Sequence, residues 1–167
     1  YPMLVRGFSA LGLDTGTAAI TVSWLASIGA AVALHLLGTT LYGRRAGWAL
    51  VAICCSAPVS VVLSMAYSEG LFLALVAGML TAAHRQSWWA AAFLGLGAAL
   101  TRPTGAAAAV ALAVAAATAV REARAANRGG TWEAVVAVLV ALAGVPAYLI
   151  WVAVRVGDLD AWFRIQA

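Results

Sequence analysis

Long uncharged stretches alternate with short charged ones along the chain, and this pattern predicts helices that cross a membrane. The charged positions divide the sequence into six mostly apolar segments. A spanning helix needs about 20 predominantly apolar residues. We therefore predict an all-α, polytopic membrane protein with about six transmembrane helices in one domain, 1–167. The predicted helices cover about 17–42, 46–66, 67–83, 88–102, 104–120 and 132–154.

The third and fourth segments are too short to cross a membrane as they stand. Their uncharged cores, 70–83 and 88–101, hold fourteen residues each. Fourteen helical residues cover only about 21 Å of a hydrocarbon core about 30 Å thick. Either each helix extends through its polar outer end, at 67–69 and at 101–102, or those ends lie in a protein-lined cavity below the membrane surface.

The composition supports the membrane class. The chain has 167 residues, of which 65% are hydrophobic and 10% charged, and its mean hydropathy is +0.97. Soluble domains are about 45–50% apolar and about 25% charged. The net charge of +4 predicts no nucleic-acid partner, because the arginines are scattered over loops. All ten basic residues are arginine, which, with the many alanines, favours a bacterial, GC-rich source.

The ends of the chain favour an internal fragment of a larger membrane protein. The sequence lacks an initiator methionine and has no signal-peptide pattern near its start. We expect an N-terminal part, including the first large outer loop, to precede Tyr1.

The arginine distribution predicts the orientation, because cytoplasmic loops are rich in positive charge. Placing Arg44 and Arg45 in the cytoplasm puts six arginines inside and four outside. The predicted location is the bacterial plasma membrane, or the endoplasmic reticulum if the source is eukaryotic. The residues that then face the extracytoplasmic side include Asp14, Glu69, Arg102, Asp158 and Asp160.

Glu69 is the carboxylate that most needs an explanation. An ionised carboxylate at membrane depth costs about 2.5–3.5 kcal/mol. Ser68 can cap the helix that follows, and an acid in its first turn offsets the helix dipole. Alternatively, Glu69 lies at the wall of a cavity. Matched helix lengths place Arg102 at the same depth, so the two can pair, either as a structural contact or as the lining of a site.

The stretch "LTRPTG" predicts a break in the chain beside Arg102. Pro103 disfavours helical dihedrals at Arg102. Thr104 can then cap the next helix, with Gly105 beside it. A helix N-terminus next to an arginine suits a phosphate group. A lipid-linked phosphate at the outer membrane boundary is the natural ligand.

The cysteines and the histidine at position 35 do not form a recognisable redox or metal-binding motif. Cys54 and Cys55 are adjacent, which is neither redox nor metal-binding spacing. His35 stands alone in an apolar segment and is interpreted as a hydrogen-bonded interior residue. We predict no metal site from the sequence, although a requirement for a divalent metal stays open.

Two stretches, "AYSEGLFLAL" and "RQSWWAAAFLGLGAALTRPTG", resemble the phosphatidylinositol-glycan class V mannosyltransferase family. Eukaryotic members of that family add the second mannose of the glycosylphosphatidylinositol anchor. Position 70 is glycine where the family usually has serine, and Pro103-Thr104 stands where Ser-Asn is common. The opening and closing stretches are also similar to the family. The matching positions are Tyr67, Ser68, Glu69, Leu71, Phe72, Thr101, Arg102 and Gly105.

The resemblance implies a glycosyltransferase C-like fold. Enzymes of that superfamily use a polyprenyl- or dolichyl-phosphate sugar as donor, without a further cofactor, and work on the non-cytoplasmic face. Their usual catalytic acid lies in the first outer loop, so the general base is expected upstream of Tyr1 and the fragment alone is expected to be inactive.

We therefore predict a membrane mannosyltransferase that moves mannose from a polyprenyl-phosphate donor to a lipid or protein acceptor. The alternatives are a transporter subunit with Glu69 and Arg102 lining the substrate path and a purely structural membrane protein. Transporters favour internal pseudo-symmetry and charges at the midplane, and the sequence shows no matching half. The predicted substrate-binding residues are Tyr67, Ser68, Glu69, Arg102 and Thr104.

Overall fold

The computed structural model describes residues 1–102, 104–127 and 132–157, and every regular element in these ranges is helical. Pro103, Asp158 and Asp160, which figure in the sequence predictions, lie outside the described residues. A 3-10 helix, Pro58–Ser64, separates α3 from α4. The α-helices are α1 (Pro2–Ala10), α2 (Thr15–Tyr42), α3 (Arg44–Ser56), α4 (Glu69–His84), α5 (Trp88–Thr101), α6 (Gly105–Ala125) and α7 (Trp132–Val156).

Three helices are long and apolar enough to cross a membrane, namely α2, α6 and the Trp132–Arg155 part of α7. They fit a membrane protein. Helices α4 and α5 are apolar but have only 16 and 14 residues, which confirms the short third and fourth segments. Helix α6 runs beyond the predicted end at 120 to Ala125, because alanine, arginine and glutamate are strong helix formers.

The prediction of one helix over 46–66 is wrong. Helix α3 ends at Ser56, and Ala57 is extended, with φ −64° and ψ 139°. The next residue, Pro58, has no N–H to donate and disfavours helical dihedrals in the residue before it. The chain then forms the 3-10 helix and returns to an extended conformation at Met65. We call residues 57–68 the connecting segment. Helix α1 was not predicted at all.

The helices pack side by side with α4 and α5 in the middle. Helix α2 lies against α1, α3 and α4, whereas α5 lies against α4, α6 and α7. The main core cluster contains residues of α4, α5, α6 and α7. It consists mostly of alanine, together with Met79, Trp88 and Leu112. Small side chains allow the helix backbones to approach closely.

Because successive helices run in opposite directions, the start of α4, the end of α5 and the start of α6 lie at the same end of the bundle. We call this end the site end. A short turn at 85–87 joins α4 to α5 at the opposite end. There Arg85 Nη2 donates a hydrogen bond to Thr40 Oγ1 at 3.3 Å. Because α2 and α6 also finish at that end, the arginines at 44, 45, 121 and 124 lie there.

Candidate functional site

Glu69 and Arg102 form an ion pair at the site end. The two residues are 33 positions apart, and Arg102 Nη1 donates a hydrogen bond to Glu69 Oε1. Glu69 is the first residue of α4, and Arg102 directly follows α5. Antiparallel packing of these two helices brings the two side chains together. The prediction that this pair can form is confirmed.

The backbone at Arg102 leaves the helix, as the sequence predicts. Its dihedral angles are φ −154° and ψ 147°, which is an extended conformation. Its carbonyl accepts a hydrogen bond of 2.9 Å from the N–H of Gly105, the first residue of α6. Gly105 itself is closely packed, because a Cβ there would lie 2.4 Å from the Cα of Ala99. Arg102 is therefore held between two tightly packed helix ends.

The pair is partly covered, and one of its oxygens has no partner. The side chains of Arg102 and Glu69 are 39% and 27% exposed, respectively. Glu69 Oε2 is buried, and no group among the described residues hydrogen-bonds to it. A buried polar atom without a partner carries a desolvation penalty that is not offset. Glu69 thus retains an unused acceptor.

An apolar cleft adjoins the pair. It has a volume of about 430 Å³ and lies between α3, the connecting segment and the start of α4. Its walls include Ile53, Leu63 and Phe72, and Glu69 is the one charged residue among the described residues that line it. The site end therefore combines a charged pair with an adjacent apolar surface.

Polar side chains of α2 hold the connecting segment in place. Ser27 Oγ donates to the Leu63 carbonyl at 2.7 Å, and Ser23 Oγ donates to the Tyr67 carbonyl at 3.1 Å. Trp24 Nε1 makes a longer contact of 3.4 Å with the Ser64 carbonyl. Irregular backbone at membrane depth requires such partners within the protein. These α2 residues were not predicted as part of the site, although serines spaced i, i+4 in an apolar helix are a usable signal.

Glycine at position 70 follows from the contact between α4 and α2. A Cβ at Gly70 would lie 2.6 Å from Ser27 Oγ and 3.1 Å from the Ser27 backbone nitrogen. A serine, which the resembling family usually has at this position, does not fit without a shift of α2. Glycine at this position therefore has a steric reason in this chain.

The two predicted helix caps are wrong as hydrogen bonds. Ser68 and Thr104 occupy the N-cap positions of α4 and α6, but neither side chain makes a capping hydrogen bond. Their dihedral angles are near-helical, whereas a capping residue normally adopts extended angles. Thr104 is exposed beside Arg102, and Tyr67 is 57% exposed at the end of the connecting segment.

The remaining candidates lie away from the ion pair. The ring of His35 lies against that of Trp48 of α3, tilted by 48° with centroids 4.5 Å apart, and its Nε2 lies 3.5 Å from Thr39 Oγ1 of its own helix. His35 is half-buried, and its Nδ1 is buried without a hydrogen-bond partner among the described residues, so the hydrogen-bonded interior interpretation is confirmed only for Nε2. Cys54 and Cys55 are free thiols. The described residues contain no group of three or more His, Cys, Asp or Glu side chains that could hold a metal ion.

Comparisons with protein-family models, with curated proteins and with solved structures find no match for this chain.

Proposed function

We propose that this chain is part of a multi-pass membrane mannosyltransferase of the glycosyltransferase C type. It transfers mannose from a polyprenyl-phosphate-mannose donor to a lipid or protein acceptor on the extracytoplasmic face, in the plasma membrane of a bacterium. The observation that carries the proposal is the contact between Glu69 and Arg102, because each residue belongs to one of the two motifs that resemble the family.

Arg102 has the chemistry to hold the donor phosphate. A guanidinium group presents five N–H donors in a fixed fork, which matches phosphate oxygens. Within the described residues, the Arg102 side chain donates only to Glu69. Its remaining donors are available to a ligand, and the side chain is 39% exposed. Helix α6 begins three residues later, and a helix N-terminus also favours an anion.

The apolar cleft beside Glu69 supports a lipid-linked donor over a soluble one. Its lining of Ile53, Leu63 and Phe72 side chains suits an isoprenoid chain. The charged head group of such a donor then lies at the ion pair. A nucleotide sugar has no apolar chain to place there.

In the proposed reaction, an acceptor hydroxyl attacks the anomeric carbon of mannose. The bond between that carbon and the phosphate oxygen breaks, and the lipid phosphate leaves with the bonding electrons. A general base, expected upstream of Tyr1, removes the hydroxyl proton. Arg102 stabilises the negative charge that develops on the leaving phosphate.

Substitution of Arg102 tests the proposal in membranes that contain the full-length protein and labelled polyprenyl-phosphate mannose. We expect Arg102→Ala to lower transfer by about 100- to 1,000-fold, the usual effect of removing one such donor. Arg102→Lys keeps the positive charge but loses the fork, so it retains part of the activity.

Arg85→Ala is the matched control, because Arg85 also makes one side-chain hydrogen bond but lies at the opposite end of the bundle. It is expected to transfer mannose at the wild-type rate. Full activity in Arg102→Ala contradicts the assignment of Arg102 to the phosphate. Absence of transfer by a well-folded wild-type protein contradicts the mannosyltransferase itself and leaves two alternatives, a different polyprenyl-phosphate sugar as donor or a transporter.

A further inference from the structure

The second carboxylate oxygen of Glu69 points to a recognition role that the ion pair leaves unexplained. We propose that Glu69 Oε2 accepts a hydrogen bond from a hydroxyl group of the donor sugar and thereby selects the sugar. The inference rests on the proposed function and deepens it, because it assigns the two oxygens of one side chain to two tasks. Oε1 positions Arg102, and Oε2 binds the ligand.

The environment of the pair decides which kind of ligand group fits. Arg102 is assigned to the donor phosphate, so the group that meets Oε2 is a further one: an anion there is repelled by Glu69 itself, and a cation is repelled by Arg102. Metal binding lacks the required ligands among the described residues. The ligand group that fits Oε2 is therefore an uncharged hydrogen-bond donor, such as a hydroxyl group. An ionised carboxylate is an acceptor only, and its hydrogen bonds to hydroxyl groups are strong.

Oε2 is covered in the structure, while the Glu69 side chain as a whole is 27% exposed and lines the apolar cleft. Contact with a ligand therefore requires the carboxylate to turn toward the cleft, and the last torsion of a glutamate is broad enough to allow it. Oε1 keeps the contact with Arg102 in the proposed arrangement. The hydroxyl then provides the hydrogen bond that Oε2 lacks.

Arg102 is proposed to hold the donor phosphate, and this favours the donor sugar over the acceptor as the source of the hydroxyl. The sugar is bonded directly to that phosphate, so its hydroxyls lie within reach of a carboxylate that contacts the same arginine. The acceptor also carries a hydroxyl, and the experiment separates the two sources.

The test compares intact donor with donors that each lack one mannose hydroxyl, using the full-length protein in membranes. In wild type, one deoxy donor is expected to lower kcat/KM by about 10- to 150-fold, the usual effect of losing a hydrogen bond to a charged group. Glu69→Gln keeps an oxygen for Arg102 but replaces the other with an amide nitrogen that cannot accept. In this variant the same deoxy donor and the intact donor should differ by less than about threefold, as the logic of a double-mutant cycle requires.

Glu133→Gln is the matched control, because Glu133 also lies in the first turn of an apolar helix, α7, at the opposite end of the bundle. It should keep the wild-type discrimination, which excludes a general effect of helix charge. If Glu69→Gln does not accumulate, Glu69→Asp retains two acceptor oxygens and should keep the preference for the intact donor at a lower rate.

Two results overturn the inference. In the first, wild type uses every deoxy donor as well as the intact one. In the second, Glu69→Gln keeps the wild-type discrimination, including the case in which kcat falls equally with all donors, which leaves Glu69 with its contact to Arg102 alone. In each case wild type still transfers mannose, so the proposed function stands, whereas absence of transfer by wild type removes both.

Discussion

At the scale of single residues, Gly70 shows how one missing side chain positions the candidate site. The glycine lets the first turn of α4 lie directly against Ser27 of α2. The neighbouring Glu69 is thereby fixed at the depth where it meets Arg102. A glycine in a helix costs about 1 kcal/mol relative to alanine, so its presence at this position is explained by the close contact and not by helix formation.

Gly70→Ala is therefore expected to destabilise the protein by about 1–3 kcal/mol, the usual cost of overpacking. Its Cβ would lie 2.6 Å from Ser27 Oγ, and helix α2 or α4 would have to shift. The measurement is the melting temperature of the purified protein in detergent.

Gly29→Ala is a matched control at the same pair of helices, because its Cβ would lie 3.9 Å from the Cβ of Ala74, an ordinary contact. This variant should melt at or above the wild-type temperature. Equal melting of the two variants would show that the contact at Gly70 is not tight.

The caps and the ion pair differ in how far they follow from the sequence. The pairing of Glu69 with Arg102 follows from the similar lengths of two consecutive apolar segments, which any antiparallel hairpin preserves. A capping hydrogen bond depends on a few dihedral angles at Ser68 and Thr104, and these angles are near-helical in the structure. The sequence therefore predicts which residues meet more reliably than how each one hydrogen-bonds.

At the scale of elements, the connecting segment is the part of the fold that hydropathy does not reveal. Residues 46–66 are uncharged throughout, which suggests one helix. Pro58 and three side-chain donors on α2 decide otherwise, because the donors supply the carbonyls of the segment with partners that an α-helix would have provided. Such compensation between distant segments is invisible in a hydropathy profile.

Ser27→Ala is expected to loosen the connecting segment. The change removes the donor to the Leu63 carbonyl and costs about 0.5–1.5 kcal/mol, the usual worth of one hydrogen bond. Amide hydrogen exchange over 57–68 should therefore become faster, while exchange within α5 to α7 stays unchanged.

The control for this prediction is Thr21→Val on the same helix. The Thr21 hydroxyl donates at 2.8 Å to Thr17 of its own helix, so its removal leaves the connecting segment untouched. Unchanged exchange over 57–68 in Ser27→Ala would mean that packing alone holds the segment.

At the scale of the whole molecule, the two ends of the bundle differ in charge. The ion pair and the apolar cleft lie at the site end, while five arginines, at 44, 45, 85, 121 and 124, lie at the other. Positive charge is typical of the cytoplasmic side. The helix directions thus agree with the arginine-based prediction of which loops lie on the same side. Which side faces the cytoplasm is tested by the next experiment.

Cysteine labelling tests the orientation, in a background where Cys54 and Cys55 are replaced by alanine. Thr104 and His84 are both exposed and lie at opposite ends of the bundle. A membrane-impermeant thiol reagent added outside should modify Thr104→Cys and should leave His84→Cys unmodified until the membrane is opened. The reverse pattern would place the ion pair in the cytoplasm and remove the basis for an extracytoplasmic reaction.

The shortness of α4 and α5 has a consequence for how the chain is made. With 16 and 14 residues, neither helix is a strong candidate to leave the translocon alone, and each has a charged residue at the same end. A charge at the centre of a spanning helix opposes insertion by about 2.5–3.5 kcal/mol, whereas Glu69 and Arg102 lie at helix ends and meet as a neutral pair. For α4 and α5 to enter the lipid, we therefore expect the ribosome to synthesise both helices first, so that they insert together as a hairpin.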